Sequence, residues 1–176
     1  MNASPMPSIS SFHICRADYA NQVHASALLS LLDAYARDPM GGAHPLSEFA
    51  RSNLVAALAA RAQAFSVLAF DASVQDDGGA LPVGLINCIE GFSTFACRPL
   101  VNVHDVVVLP DYRGLRVAQK MLGLVEQIAR ERGACKLTLE VLAGNVGAIK
   151  LYHRVGFASY QLDPAMGQAQ FLQKWL

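Results

Sequence analysis

Val106-Val107-Val108-Leu109-Pro110-Asp111-Tyr112-Arg113-Gly114-Leu115-Arg116-Val117-Ala118 is the stretch that decides the fold. It joins a near-continuous apolar run to a polar turn and then to a helix start. The run from Val101 to Leu109 reads as a strand covered on both faces. Pro110 ends it, because proline has no amide hydrogen for a ladder. Beyond the turn, Val117, Met121, Leu124, Val125 and Ile128 recur at helical spacing, with Lys120, Gln127, Arg130 and Glu131 on the opposite side. A helix start carries up to four unpartnered amides and partial positive charge, which suits an anion. Gly114 lets backbone approach such an anion, and Arg113 and Arg116 add charge. A basic helix start without a ligand is the plainer alternative. Neither GxxxxGK[ST] nor GxGxxG is present, which argues against nucleoside triphosphate and dinucleotide sites.

Working outward, Gly133 closes this helix, and Lys136 to Val141 alternates as a strand. Gly144-Asn145 opens a further helix with Ala148, Ile149, Tyr152 and Val155 inward. Residues 157–162 and 169–175 read as last strands. Upstream, 12–16 is a short strand, and Asp18 caps a helix over about 19–36. Pro39 to Pro45 is a loop. Ser47 caps a second helix with Phe49, Leu54, Val55 and Leu58 on one side. Strands follow at 65–70 and 82–90, with a polar turn over 71–80. The order β-α-α-β-β-β-α-β-α-β-β predicts an α/β (α+β) domain with a mixed sheet and helices on its faces.

The chain has 176 residues, 53% of them hydrophobic, with 14 basic and 14 acidic side chains. That length suits a single domain over residues 9–176 behind a loose tail at 1–8. The balanced charge argues against a nucleic-acid binder. No apolar run reaches the ~20 residues of a membrane span, and the N-terminus lacks the pattern of a signal peptide. Cys15, Cys88, Cys97 and Cys135 form no metal-type spacing with the histidines, so free thiols in a reducing cytoplasm are expected.

The span from Asn102 to Tyr160 resembles the coenzyme-A half of the GNAT N-acetyltransferases. The resemblance rests on His104-Asp105-Val106-Val107-Val108, Pro110 to Ala118, Leu139-Glu140-Val141, Asn145, Ala148, Leu151-Tyr152 and Gly156-Phe157. It implies a mostly antiparallel sheet of about six to seven strands flanked by about four helices, a splayed strand pair holding CoA, and acetyl-CoA as co-substrate without a metal. Residues 9–100 then form the acceptor half and 101–162 the CoA half, with a C-terminal strand at 169–175 as an edge for a homodimer.

The family's pyrophosphate loop, [RQ]xxGx[GA], is matched by Arg113 and Ala118, with Gly114, Leu115 and Val117 between them. Arg116 replaces the inner glycine. The resemblance further implies that Val106, Val107 and Val108 pair with the pantetheine arm and that Asn145 contacts it. Asn145 is equally a plain helix cap. Tyr152 matches the tyrosine that protonates the departing thiolate. Glu140 matches the glutamate proposed as base in enzymes that acetylate protein N-termini, and Asp105, Glu90 and a water chain are the alternatives. His104-Asp105 stands where diamine acetyltransferases carry a Glu-Asp pair, so Asp105 is a candidate for holding the amine. Neighbouring strand residues face opposite sides, so both could face the acceptor only across a bulge. Phe92 and Phe95 are candidates for an acceptor wall, or for core. The expected acceptor is a small primary amine, with a protein N-terminus or lysine as the second reading.

Overall fold

The computed structural model describes residues 12–76, 79–160, 163, 165 and 170–175. The expected tail at 1–8 lies outside them. The chain divides into two compact units, Met1–Leu139 and Glu140–Leu176.

The first unit runs β1 (Phe12–Arg16), α1 (Gln22–Arg37), α2 (Glu48–Ala59), β2 (Ala64–Asp76), β3 (Gly79–Ser93), β4 (Arg98–Val108), a 3-10 turn at Pro110–Tyr112, α3 (Val117–Glu131) and β5 (Leu137–Leu139). The strands form one sheet in sequence order. Successive strands pair antiparallel, except that β5 lies parallel to β4. A parallel pair needs a long crossover, and α3 supplies it.

Each face of the sheet is closed by helix. On one side Ala27, Leu28 and Leu31 of α1 bury Leu68, Phe70, Leu85 and Val107. On the other, α3 packs across β1 to β4 with Val117, Met121, Leu122, Val125 and Ile128 buried. Gly84 permits that approach, since a Cβ there would stand 2.8 Å from the Met121 methyl. Two-sided cover explains the apolar runs of β3 and β4.

Several expectations are corrected. The cap of α1 is Asn21, which accepts from Val23 and His24 N–H. Asp18 instead accepts from Ala20 N–H in a local turn. Phe49 is exposed, while Leu54, Val55 and Leu58 of the expected face pack half-buried against the core, and α2 buries no residue fully. The polar stretch 71–76 is strand, with Gln75 opposite Ala80 and Asp76 opposite Gly79. Pairing with β3 overrides the turn-like composition of this stretch.

In the second unit α4 spans Val146–Arg154, capped by Asn145, which accepts from Ala148 N–H at 3.2 Å. The strands expected over 157–162 and 169–175 are not formed at the described residues among them, 157–160 and 170–175. A strand persists only where a neighbour meets its amides and carbonyls. Phe171, Leu172 and Trp175 are exposed. The sheet therefore has five strands among the described residues, fewer than the six to seven expected.

Candidate active site

β4 is the strand around which the candidate site is built. Its inner edge pairs with β3: Val106 lies opposite Ile86, Val107 opposite Leu85 and Val108 opposite Gly84. Its outer edge meets β5 only at Val101–Val103. Among the described residues no strand covers the outer edge from His104 to Val108, so its outward backbone groups, the Val108 carbonyl bonded to Arg113 apart, can pair with an extended ligand.

The register slips midway. Asp105 stands opposite Asn87, while Val103 stands opposite Cys88. His104 is the extra residue of a β-bulge. Asn102 lies opposite Ile89, so Asn102 and Asp105 both face the side that α1 covers. His104 joins them, its Nδ1 lying 3.4 Å from Asn102 Oδ1. The bulge is what lets the neighbours His104 and Asp105 share a face. Asn102 in turn donates to Thr138 Oγ1 at 3.2 Å.

Asp105 is half-buried and accepts from Asn87 Nδ2 at 3.0 Å. Its charge and that of Asp38 act on the phenol of Tyr35 in α1. Burial first, then these two negative charges, push Tyr35 above the ordinary tyrosine value, so it stays a protonated phenol at neutral pH.

Glu90 sits on the opposite face. Its carboxylate pairs with Arg132 at the end of α3 at 3.1 Å, and that guanidinium lies 4.7 Å over the Phe65 ring. The structure thus removes Glu90 from the face of Asp105. Phe92 and Phe95 are at the β3–β4 hairpin end and exposed, Phe95 fully, so neither is core. Five residues of strand separate Phe92 from Asn87, roughly 17 Å, and the two phenylalanines are not brought together with Asp105.

Past β4 the chain turns through Pro110–Tyr112 into the loop 113–116. Tyr112 is hydrogen-bonded to Asp71 of β2, and burial and that negative charge raise its phenol above the ordinary value. Arg113 donates through Nε to the Val108 carbonyl at 3.1 Å and through Nη2 to Asp38 at 3.0 Å. Asp38 follows the last residue of α1, so this ion pair ties the α1–α2 connection to the loop. Gly114 has φ +82° and Arg116 φ +62°. The backbone at Arg116 is left-handed, a conformation natural to glycine. Leu115 is half-buried, Val117 buried and Ala118 half-buried. α3 begins without an acidic residue in its first turn and without a side-chain cap, an arrangement that suits an anion.

A family model described as the acetyltransferase (GNAT) family matches residues 42–157. The chain belongs to the GNAT family. Streptothricin acetyltransferase of Streptomyces lavendulae is 36% identical over 89 residues, 49% of this chain and 47% of that protein. Thialysine N-epsilon-acetyltransferase of Mus musculus is 33% identical over 78 residues, 44% of this chain and 45% of that protein. The chain spans about half the length of these curated relatives. A solved structure of AAC(6')-Iy in complex with a bisubstrate analogue of CoA has a TM-score of 0.69 at 16% identity, covering 94% of this chain and 99% of that one. The GNAT fold is therefore shared well beyond the span where sequence identity is recognisable.

Within the second unit, Tyr152 is buried on α4, its ring 5.8 Å from that of Phe157 in an edge-on contact. Phe157 N–H bonds the Tyr152 carbonyl, and Gly156 makes the turn at φ +96°. The Leu-Tyr-x-x-x-Gly-Phe pattern is thus a helix end folding an aromatic back onto the tyrosine. Glu140 is exposed and directly follows β5, one residue outside the strand in which it was expected. Asn145 caps α4 as expected of a plain cap.

Sequence reasoning missed Asn87, Ser66 and Tyr19. Ser66 Oγ donates to Asn87 Oδ1 at 2.6 Å and lies 2.9 Å from the Tyr19 hydroxyl. The available signal was a lone polar residue inside each of two apolar runs, Phe65-Ser66-Val67 and Ile86-Asn87-Cys88. The Asp38–Arg113 pair was also not foreseen, since its partners are distant in sequence.

Proposed function

We propose that this chain is an acetyl-CoA-dependent N-acetyltransferase that moves the acetyl group directly to a primary amine of a small molecule, without a metal. The observation that carries the reading is the path of β4. A strand with an open outer edge leads through a left-handed, arginine-bearing loop to an uncapped helix start. That order suits an extended arm followed by a pyrophosphate.

In the proposed reaction the pantetheine amides pair with the outward backbone groups of Val106 and Val108, while Val107, expected to join them, turns its own to Leu85 of β3. The pyrophosphate meets the amides from Gly114 to Ala118, with Arg113 and Arg116 adding charge. A strand amide polarises the thioester carbonyl. The amine loses a proton to Glu140 or to water. Its nitrogen forms a bond to the carbonyl carbon, the carbon–sulfur bond breaks, and Tyr152 gives its proton to the departing thiolate. Asn145 contacts the arm while capping α4. Asp105 holds the ammonium form of the acceptor on the α1 side. Phe92 and Phe95 would touch only an acceptor long enough to reach the hairpin end.

The streptothricin and thialysine enzymes among its relatives favour a small acceptor. Leu139-Glu140-Val141 favours the second reading, acetylation of a protein N-terminus or lysine. The test is thiol release from acetyl-CoA in the presence of streptothricin, thialysine, putrescine, or peptides with free N-termini. Release with the small amines and not with the peptides is expected. Release with peptides alone would move the assignment to protein substrates. Acetyl-CoA binding with no release anywhere would leave a CoA-binding module.

A further inference from the structure

A line of side-chain hydrogen bonds crosses the sheet and ends at Asp105. It runs from Tyr19, between β1 and α1, through Ser66 on β2 and Asn87 on β3, to Asp105 on β4. Ser66 and Asn87 are buried, Tyr19 and Asp105 half-buried.

The direction of every bond follows from the carboxylate. An ionised carboxylate only accepts, so Asn87 must turn its NH2 to Asp105 Oδ2. Its carbonyl then faces Ser66, which must donate. The Ser66 proton is thereby used, so the Tyr19 hydroxyl must donate to Ser66 Oγ. All three residues point their donors one way, toward Asp105.

This line needs a cause. At positions otherwise fully apolar, a hydrophobic pair would stabilise the sheet at least as well as a buried serine and asparagine. A fully satisfied polar chain instead fixes one arrangement. Here it fixes the carboxylate beside the bulge, with Oδ2 held by Asn87. Tyr35, held protonated, and His104 on the same face complete the surroundings.

We propose that Tyr19, Ser66 and Asn87 are positioning residues that lock Asp105 in the orientation that binds the acceptor's ammonium group. The inference rests on the reading of Asp105 given above. Because Asp105 binds and does not take the proton, the chain governs acceptor KM and leaves kcat nearly unchanged.

The experiment measures steady-state kinetics with streptothricin, thialysine and putrescine, using whichever is acetylated fastest. D105N raises the amine KM by about 10- to 150-fold, the range for a hydrogen bond to a charged group. N87L and S66A raise it by about 10-fold, and Y19F, at the far end, by about 3-fold. The KM for acetyl-CoA stays put in all four. Y19F removes a single hydroxyl from a half-buried ring and keeps the fold testable where N87L or S66A does not. In the D105N background the effect of Y19F disappears, because both act through one carboxylate. If D105N leaves the amine KM unchanged, the reading of Asp105 itself falls. If D105N raises it and Y19F and S66A do not, only the positioning inference falls. An effect of Y19F that persists undiminished in D105N marks a merely structural role and overturns it too.

Discussion

Arg116→Gly pulls stability and cofactor affinity in opposite directions. Arg116 has φ +62° and ψ 16°, is exposed, and makes no capping bond to α3. A side chain in that conformation costs about 1–2 kcal/mol. Glycine removes the strain and loses about 0.5–1 kcal/mol through the freer unfolded chain. Strain relief wins, by roughly 0.5–1 kcal/mol, which is about 1–4 °C in Tm for a chain of this size. On the other side, the guanidinium stands at the start of an uncapped helix, where the proposed cofactor places its phosphates. Losing a charge-assisted contact there weakens acetyl-CoA by about 10-fold, more at low salt. Arg116→Ala separates the two effects, since it keeps the strain and lacks the charge. It should bind as weakly as the glycine variant and melt below it. Calorimetric titration with acetyl-CoA and thermal melts on the three proteins decide the matter. Unchanged affinity in Arg116→Gly removes the proposed contact at this position. An unchanged or lower Tm refutes the strain argument.

Tyr152→Phe should lower kcat by about 100-fold or more while acetyl-CoA affinity holds, as stopped assays and calorimetry would show; near-normal turnover takes Tyr152 out of the chemistry. Gly84→Val should cost about 1–3 kcal/mol in urea unfolding, because even a Cβ there reaches 2.8 Å from the Met121 methyl; no loss would mean that α3 can shift. Acid should loosen the α1–α2 connection. Asp33 is held below its ordinary value of 3.8 by Arg37 and the Leu46 amide, and Asp38 likewise by the Met40 amide and Arg113. Groups with depressed folded values stabilise fully above pH 3.8 and lose that contribution as pH falls through the folded values, so protease cutting near residues 38–47 should rise only below about pH 4. Burial pushes the Cys88 thiol up to about 12, so iodoacetamide at pH 8 should modify the exposed Cys97 and Cys135 and spare Cys88 in peptide mass spectra.

The elements with strong local signals were legible. Phe12–Arg16, Ser47 as the cap of α2, and the apolar stripe of α3 each carry their own period or cap. Errors fell where the deciding partner is remote. Asp18 and Asn21 are both good caps, and the turn that Asp18 makes with Ala20 leaves the cap to Asn21. Residues 71–76 look like a turn until Ala80 and Gly79 pair with them. At the C-terminus 169–175 reads as a strand, but among the described residues no neighbour meets its backbone groups.

The site divides in the same way. The loop 110–118 and the Tyr152 pattern are contiguous and were readable. The bulge at His104 exists only in register, so no spacing within β4 reveals it. Glu90 looked free because its partner Arg132 lies on another element. Ser66 and Asn87 were lone polar residues in apolar runs, and only the pairing of β2 with β3 and of β3 with β4 joins them into a line. Arg116 is the inverse case. The family's loop pattern places glycine at this position, and the left-handed backbone gives the reason.

The most direct test of the central claim is a paired count of products from acetyl-CoA and a primary amine. Free CoA is followed by its thiol and acetylated amine by mass spectrometry, with streptothricin, thialysine and putrescine as acceptors. The account predicts amine-dependent CoA release matched mole for mole by a product heavier by one acetyl group. CoA release no faster than without amine, for every acceptor, would contradict it.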